Sequence, residues 1–443
     1  MSFVVQYLYG YYLFNQNALI LCSVVSSIFV FLVIRQSLAL RYGIKWIGLG
    51  IAIAAGLLLA ELMLIARMFG LQDTPAGAYY IVFVCDVLLI AMLANWKKTR
   101  KVPILSFLAF VSTLILLGLT VNNFYQYYPT LGSMFIKTDP RQNIVSTLST
   151  SRQNKITSSS IEAALFGSQK KGAVTAVNIP GDVSHMVTRD GYIYLPPAYS
   201  NPTFSTVHFP VLVLLTGTPG DPASWLQGGR LEDTMDNFAS HHEGITPIVV
   251  VADHSGSFTN DTECLDSAQG NAETYLTVDV PSYMKQHYRV SSNPKNWGIA
   301  GVSEGGMCAA MLTLEHQDVF RHFLDMSGYP APYLDNTSQT LPVLFKGSVR
   351  SQKEHNINWL IQNVPYSPGL TAQFAIGTDD NKRLISEMQQ TYRIAVREKL
   401  PSTFELIGHQ GHSFAAWSRA FTNALPALSY DLGATDCVTN CSQ

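Results

Sequence analysis

The run from Asn296 to Ala310 is the feature that most constrains the fold, because a short apolar strand pattern turns into a helix pattern across Gly-x-Ser-x-Gly. The pattern predicts that Ser303 lies on a sharp turn at the carboxyl end of a strand, next to a helix N-terminus. Glycines flank the serine because the backbone at such a turn excludes side chains. A serine hydroxyl is a weak nucleophile, so catalysis also requires a histidine and an acid.

The first third of the chain has a different, mostly apolar composition. Four stretches have close to the ~20 residues that span a bilayer as a helix; they are residues 17–34, 46–66, 77–95 and 102–121. They predict a four-span helical transmembrane domain over residues 1–125, with the lipid bilayer as its partner. A cleaved signal peptide fits less well, because no basic residue precedes the first stretch and three more stretches follow.

Basic residues predict the orientation of these spans. The first connection carries Arg35, Arg41 and Lys45, the third carries Lys97, Lys98, Arg100 and Lys101, and the second carries only Arg67. Because basic loops face the cytoplasm, four spans place the N-terminus and everything after residue 125 on the outer face. We therefore expect a multi-pass protein of a bacterial cytoplasmic membrane with an extracytoplasmic catalytic domain.

Two acidic residues, Glu61 and Asp86, interrupt the apolar stretches. Intramembrane carboxylates are functional candidates by default, for example as proton relays of a small transporter. The preferred alternative is that Glu61 lies near the outer end of its helix and that Asp86 is protonated or bonded within the bundle.

Charge and cysteines carry weaker information. The net charge is −2, and the absence of a basic stripe outside the membrane loops argues against binding to nucleic acid. Four cysteines follow the predicted membrane domain, and an even number on an oxidising side permits disulfides. Cys437 with Cys441 and Cys264 with Cys308 are both possible pairs, with free or buried thiols as the alternative.

Beyond the apolar third, residues 126–175 are rich in Ser, Thr, Asn and Gln and predict a linker. Strand and helix patterns then alternate and predict an α/β domain with a mostly parallel sheet over residues 176–430, followed by a tail over 431–443. The expected strands are residues 192–199, ending in a proline turn, and 210–215, 246–252, 297–301, 341–345 and 372–376. The expected helices include 274–286, 307–316 and 381–399.

The general base is expected late in the chain, on the loop after the last strand. His409 and His412 both lie there. His412 is preferred because it immediately precedes a helix that Ser413 can cap. His409 is the alternative base, or else a residue with a structural or substrate contact.

The acid must follow a strand and precede the histidine in this type of fold. Asp379 and Asp380 both meet this condition. Asp380 is preferred, and Asp379 is the alternative acid and the expected cap of the following helix. The order serine, aspartate, histidine is the one expected of α/β-hydrolases.

Two backbone N–H groups are needed to bind the developing oxyanion. One is predicted at Glu304, directly after the nucleophile, and the other at Thr218 in the glycine-rich loop after the first long buried strand. A metal site is not expected, because neither His409-x-x-His412 nor the sequence His241-His242-Glu243 has HExxH spacing or a clear third ligand. No cofactor is expected either.

At these motifs the chain resembles the putative-esterase branch of the α/β-hydrolases, which includes feruloyl esterases, the esterase D type and the mycobacterial and corynebacterial mycolyltransferases. The resemblance covers about residues 185–428. The segments that carry it are 194–199, 214–217, 273–276, 301–306, 377–380 and 411–417. It implies cofactor-free hydrolysis or transfer of acyl esters through an acyl-serine.

Together these features predict a membrane-anchored serine esterase or acyltransferase that acts on acyl esters of cell-envelope lipids or glycans. Two alternatives belong to other classes. One is a non-catalytic envelope sensor or ligand-binding protein, and the other is a small transporter with an accessory hydrolase domain.

Overall fold

The computed structural model describes residues 16–39, 53, 76–95, 101–125, 128, 171–334 and 336–434. The chain divides into two units, Met1–Ile136 and Lys137–Gln443. Each unit is described by itself.

The first unit contains three described helices, α1 (Gln16–Ala39), α2 (Ala76–Asn95) and α3 (Lys101–Tyr125). Both α1 and α2 pack on α3. The buried cluster between them takes Val33, Leu88 and Ala109 from the three helices in turn. Large apolar side chains on the outward faces remain exposed, for example Phe31 at 62%.

Helix length tests the predicted membrane spans. Among the described residues, only Pro103–Asn123 forms a helix that is both long and apolar enough to cross a membrane, while Leu19–Arg35 and Ala78–Met92 are shorter apolar helices. The predicted stretch 46–66, with Glu61, lies outside the described residues except for Ile53. The described helices therefore do not support four spans. Asp86 on α2 is buried within this unit.

The second unit is built on an eight-stranded sheet in the order β1-β2-β4-β3-β7-β8-β9-β10. The strands are β1 (Ala173–Val177), β2 (Gly191–Leu195), β3 (Val211–Leu215), β4 (Ile248–Val251), β7 (Trp297–Val302), β8 (His322–Met326), β9 (Thr371–Gly377) and β10 (Ser402–Ile407); β5 (Asp266–Ser267) and β6 (Gly270–Asn271) form a separate pair. Six neighbouring strands run parallel, namely β4, β3, β7, β8, β9 and β10. At one edge, β2 pairs antiparallel with β4, and β1 pairs antiparallel with β2. The predicted α/β class with a mostly parallel sheet is confirmed.

Helices connect the strands and cover the sheet. They are α4 (Pro197–Ser200), α5 (Ala223–Gln227), α6 (Leu231–Ser240), α7 (Ala272–Thr274), α8 (Val280–His287), α9 (Glu304–Glu315), α10 (Thr337–Gln339), α11 (Val349–Glu354), α12 (Ile357–Asn363), α13 (Lys382–Arg397) and α14 (Phe414–Asp431). A π-helical turn, Tyr275–Asp279, joins α7 to α8. Strands β3, β4 and β7 are buried along their whole length, as parallel strands covered on both faces are.

The predicted strand at 341–345 is wrong, since Thr340–Leu344 forms a π-helical turn. The sheet position next to β7 belongs instead to β8. Two polar residues in β8, His322 and Asp325, interrupt the apolar run that a buried strand normally shows. Both have partners: His322 Nδ1 lies 2.8 Å from Thr371 Oγ1, and Asp325 Oδ1 accepts the Gly328 N–H at 2.7 Å. The hydropathy pattern therefore did not show this strand, because two of its five residues are polar and are buried only as partners of other groups.

Two further findings concern the ends and cross-links of the second unit. Strand β1 begins at Ala173, inside the segment predicted as linker. Cys264 and Cys308 form a disulfide, so one of the two possible pairs is confirmed. Cys437 and Cys441 lie outside the described residues.

Candidate active site

Ser303 lies on the turn between β7 and α9. Its backbone is in the left-handed region, with φ of 56°, and its N–H donates to the Met326 carbonyl at 2.8 Å. A Cβ at Gly301 would lie 2.1 Å from the Gly305 carbonyl oxygen, and one at Gly305 would lie 2.4 Å from the Thr216 oxygen. Both glycines are therefore required by close backbone approach, as in the nucleophile elbow of α/β-hydrolases.

The structure brings Ser303, His412 and Asp380 together at the carboxyl edge of the sheet. His412, on the loop between β10 and α14, has Nε2 3.0 Å from Ser303 Oγ and Nδ1 3.1 Å from Asp380 Oδ2. Asp380 follows β9. In this arrangement the Ser303 hydroxyl donates to Nε2, and Nδ1–H donates to the carboxylate, as in a nucleophile–base–acid triad.

Asp380 is held ionised although its side chain is only 1% exposed. Burial raises the pKa of Asp380, but the hydrogen bond and charge of His412, the Asn381 N–H and the Ser327 hydroxyl outweigh burial and hold the pKa below its usual value. A buried carboxylate of this kind fixes the imidazole tautomer and stabilises the imidazolium.

Two further residues support Asp380, and sequence reasoning assigned no role to either. The Ser327 hydroxyl donates to Asp380 Oδ2 at 2.9 Å, and Trp417 Nε1 donates to Ser327 Oγ at 3.1 Å. The Trp417 ring also packs edge-on against the His412 ring, with centroids 4.9 Å apart. Ser327 was missed because it follows β8, the strand that the pattern did not show.

The alternative acid and base point elsewhere. Asp379 and His409 are both exposed. Asp379 Oδ1 accepts the Thr378 hydroxyl at 3.2 Å, and the His409 N–H donates to Thr378 Oγ1 at 2.8 Å. The His409 contact joins the loops after β9 and β10, and neither contact reaches Ser303.

The predicted helix caps need correction. The cap of α13 is Asn381, whose side chain accepts the Arg383 N–H at 2.9 Å, and not Asp379. Ser413 occupies the N-cap position of α14, but its hydroxyl makes no capping hydrogen bond there.

The loop after β3 lies against the nucleophile turn, where Thr218 is a predicted oxyanion donor. A Cβ at Gly217 would lie 3.0 Å from Ser303 Cβ. The other predicted donor, the Glu304 N–H, is the first of α9 and has no acceptor within the helix. Both predicted donors thus belong to segments adjoining Ser303.

Arg189 holds the loop after β3 in place, a role that the sequence did not predict. Its guanidinium donates to the Gly220 carbonyl at 3.0 Å and pairs with Asp221 at 3.2 Å and with Asp253 at 2.7 Å. Burial raises the pKa of Asp253, but hydrogen bonds and charge from Arg189 outweigh it and lower that pKa overall. The bidentate contact joins the loops after β3 and β4.

A second group of buried acids adjoins the nucleophile turn through Glu304, the residue after Ser303. Glu304 Oε1 accepts the Glu263 N–H at 3.1 Å and lies 3.6 Å from His254 Nε2. Tyr329 donates to Glu263 Oε1 at 2.6 Å. The Cys264–Cys308 disulfide ties this loop to α9. The sequence predicted only a backbone role for Glu304, as an oxyanion donor. It did not predict the contacts of the Glu304 side chain with Glu263 and His254.

The histidines weighed as metal ligands have other contacts. His241 and His242 directly follow α6, and their Nδ1 atoms lie 2.8 Å from the carbonyl oxygens of Asn237 and Phe238, respectively, in that helix. His412 is engaged with Ser303 and Asp380.

Comparison with known proteins agrees with this geometry. The family described as putative esterase matches residues 187–428. An uncharacterized protein of Corynebacterium glutamicum is 31% identical over 389 residues, which cover 86% of this chain and 88% of that protein. This alignment is longer than the esterase match, so it extends beyond residues 187–428.

Two solved structures share the fold. A ferulic acid esterase has a TM-score of 0.50 at 21% identity and covers 59% of this chain and 99% of its own. An S-formylglutathione hydrolase from Agrobacterium tumefaciens has a TM-score of 0.50 at 17% identity, covering 60% of this chain and 98% of its own.

Proposed function

Because the chain belongs to the putative esterase family, we propose that Ser303, His412 and Asp380 catalyse hydrolysis or transfer of an acyl ester. The observation that carries the proposal is the continuous contact from Ser303 Oγ through His412 to Asp380. A non-catalytic sensor does not require this chain of contacts. The substrates proposed are acyl esters of cell-envelope lipids or glycans.

The geometry supports a two-step reaction. Ser303 Oγ attacks the ester carbonyl carbon while His412 Nε2 takes the hydroxyl proton, and the N–H groups of Glu304 and Thr218 bind the oxyanion. Collapse breaks the ester bond, and His412 returns the proton to the leaving alcohol. Water or a sugar hydroxyl then attacks the acyl-serine, giving its proton to His412, and Ser303 regains that proton when the acyl group leaves.

Labelling with a fluorophosphonate tests the nucleophile. We expect stoichiometric labelling of the full-length chain, no labelling of Ser303→Ala, and normal labelling of the control Ser200→Ala. Hydrolysis of 4-nitrophenyl acetate should fall by about 10³-fold or more in Ser303→Ala. A folded chain that reacts with neither reagent would favour the sensor instead.

We also propose that the esterase domain lies outside a membrane in which the first unit is anchored. Three observations support this: the exposed apolar faces of α1 and α3, the basic residues between the apolar stretches, and a disulfide in the second unit. Exposed apolar helix surface is what contact with lipid requires. This topology depends on the number of spans. An even number places the N-terminus and the esterase domain on the same side of the membrane, and an odd number places them on opposite sides.

A thiol reporter tests the location. Ser205 is exposed in the esterase domain, and Ser205→Cys should react with a membrane-impermeant maleimide in intact spheroplasts. The unsubstituted chain, with free Cys22 and Cys85, is the control. Reaction of Ser205→Cys only after lysis would place the domain in the cytoplasm.

A surface cavity supports a glycan as part of the substrate. It has a volume of about 510 Å³ and is lined by Trp359, Ala331, Val349, Lys353 and five carboxamides, those of Gln352, Asn356, Asn358, Gln362 and Asn363. Carboxamides both donate and accept, as sugar hydroxyls do, and an indole face packs against a sugar ring. Ala331 is four residues from Ser327, so their Cα atoms are at most about 14 Å apart.

Substrate comparison tests this assignment. Gln352→Ala should raise KM for an acylated oligosaccharide by roughly three- to tenfold through a lost hydrogen bond. The same variant should leave 4-nitrophenyl acetate hydrolysis unchanged, as should the control Gln390→Ala. Equal KM for the oligosaccharide ester in all three proteins would remove the cavity from the substrate site.

A further inference from the structure

Four titratable residues gather at the far end of α9 from Ser303. Glu315 is the last residue of this helix, His316 follows it, Glu273 lies on α7, and His355 follows α11. At 1.5 Å per residue, this end of α9 is roughly 17 Å from the nucleophile turn. The group is therefore separate from the catalytic residues.

The donor atoms of three of these side chains converge. One ligand atom each from Glu273, Glu315 and His316 lies within 4.8 Å of the other two. His316 Nε2 is 2.8 Å from Glu273 Oε1, and His355 Nε2 is 3.9 Å from Glu315 Oε1. Ligand atoms around a tetrahedral zinc ion are roughly 3.4 Å apart, given bonds of about 2.1 Å. Side-chain shifts of about 1 Å would satisfy this geometry.

The hydrogen bonding of His355 shows which nitrogen faces the cluster. His355 Nδ1 lies 2.7 Å from the Ser351 carbonyl oxygen. Since a carbonyl only accepts, Nδ1 carries the hydrogen, and the neutral ring presents the Nε2 lone pair toward Glu315. A backbone carbonyl behind the other ring nitrogen is the usual support of a metal-bound histidine.

Glu315 provides an independent sign that the cluster is incomplete. Among the described residues, Glu315 Oε2 is buried and has no hydrogen-bond partner, while the whole side chain is 16% exposed. The side chains of Glu273, His316 and His355 are partly exposed, so an ion from solvent can reach the cluster.

We propose that Glu273, Glu315, His316 and His355 bind one Zn²⁺ ion or a similar divalent transition metal. Two imidazoles and two carboxylates form a donor set that zinc accepts. Binding displaces the proton between His316 and Glu273 and any proton on Glu315, and these leave to solvent. The ion joins α7, α11 and the end of α9, so its role is to stabilise the helix that begins at the nucleophile.

Calorimetric titration of the full-length chain in detergent tests the site. After treatment with EDTA and its removal, ZnCl₂ should bind with one tight site per chain. Glu315→Gln should weaken binding at least about 100-fold, and His355→Gln at least about tenfold. The matched control is Glu354→Gln on α11, whose carboxylate pairs with exposed Arg350, and it should bind zinc like the unsubstituted chain.

Folding and the active site are controlled separately. Zinc should raise the melting temperature of the unsubstituted chain but not of Glu315→Gln, whose metal-free melting temperature should be at least as high because a buried carboxyl is removed. If Glu315→Gln does not fold, His355→Gln and its affinity decide the question. Equal zinc affinity in the unsubstituted chain and the folded variant overturns the proposal, as does tight binding that only His412→Gln abolishes.

Discussion

Two buried carboxylates near the nucleophile turn, those of Asp380 and Glu263, have pKa values that move in opposite directions. Burial, His412, the Asn381 N–H and Ser327 together leave the pKa of Asp380 below its usual value. Burial and the charges of Asp261 and Glu304 raise the pKa of Glu263 well above its usual value, although Tyr329 donates to it. The comparison shows that donors and cations around a buried acid, more than burial itself, decide whether it is charged.

The difference matters for function. A charged Asp380 orients His412 and stabilises its protonated form, whereas the raised pKa of Glu263 favours the neutral form of that side chain beside Glu304. The sheet places the two groups differently, since Asp380 follows β9 and Glu263 lies in the loop before β5. Substitutions that remove each charge or each contact therefore have separate expected effects.

The largest effect is expected from Asp380→Asn, which removes the acceptor for His412 Nδ1–H. The amide keeps the shape but favours the wrong imidazole tautomer, so kcat should fall by about 10³- to 10⁴-fold. Steady-state hydrolysis of 4-nitrophenyl acetate measures this.

Asp379→Asn is the matched control, because that side chain is exposed and bonds to Thr378. It should retain nearly full kcat. If the loss appeared instead in Asp379→Asn, the acid would be the neighbouring aspartate and the comparison would concern the wrong carboxylate.

Sequence patterns predicted which three side chains meet at the carboxyl edge of the sheet, because each of them has a local signature. Ser303 lies between glycines that the backbone requires, and Asp380 and His412 each follow a strand with a recognisable apolar or alternating pattern. The support behind them left no such signature. Ser327 depends on β8, whose His322 and Asp325 break the apolar run, and Arg189 reaches Asp253 across 64 residues.

The second group of buried acids, around Glu263 and Glu304, could not be predicted for a similar reason. Glu263, Glu304 and His254 are distant in sequence and meet only after the loop of Cys264 packs on α9. Hydropathy places acids on a surface, and only the folded chain shows that these are buried. The first unit shows the opposite case. Apolar stretches of suitable composition coincide with α1 and α2, but the apolar segments described there, Leu19–Arg35 and Ala78–Met92, are shorter than Pro103–Asn123 of α3.

The next largest effect, on stability, is expected from removing the Cys264–Cys308 disulfide, which connects the loop of Glu263 to α9. Replacing both cysteines by alanine should lower the free energy of unfolding by about 2–4 kcal/mol, because the unfolded chain loses a cross-link over 44 residues. Chemical denaturation of the detergent-solubilised chain measures it. Cys22→Ala, which removes a free thiol of the first unit, should have little effect, and equal stability in both variants would contradict a structural role.

A smaller effect is expected from Ser327→Ala, which removes one donor to Asp380 but leaves the triad in place. We expect kcat to fall about tenfold, since a hydrogen bond to a charged group contributes about 1.5–3 kcal/mol, only part of which reaches the transition state. The acid limb of the pH profile of kcat/KM should also move upward, because Asp380 loses a contact that lowers its pKa. An unchanged profile together with reduced kcat would indicate a packing effect.

The smallest effect is expected from Glu263→Gln, and it should be stabilising. The folded state of the natural chain retains a proton on Glu263 that the unfolded chain releases above about pH 4.5, so the free energy of unfolding falls as pH rises through that value. Glutamine keeps an acceptor for Tyr329 and removes this dependence on pH, so the free energy of unfolding of the variant should be higher by on the order of 1 kcal/mol at pH 8 and by less at pH 4.5.

Asp380 acts with the opposite sign. Its lowered pKa adds stability at pH values above the pKa of the unfolded chain, and this stability is lost as pH falls. Denaturation at both pH values, with exposed Glu243→Gln as the control, distinguishes the two groups, and a variant less stable than the natural chain at pH 8 would mean that Glu263 is charged and paired.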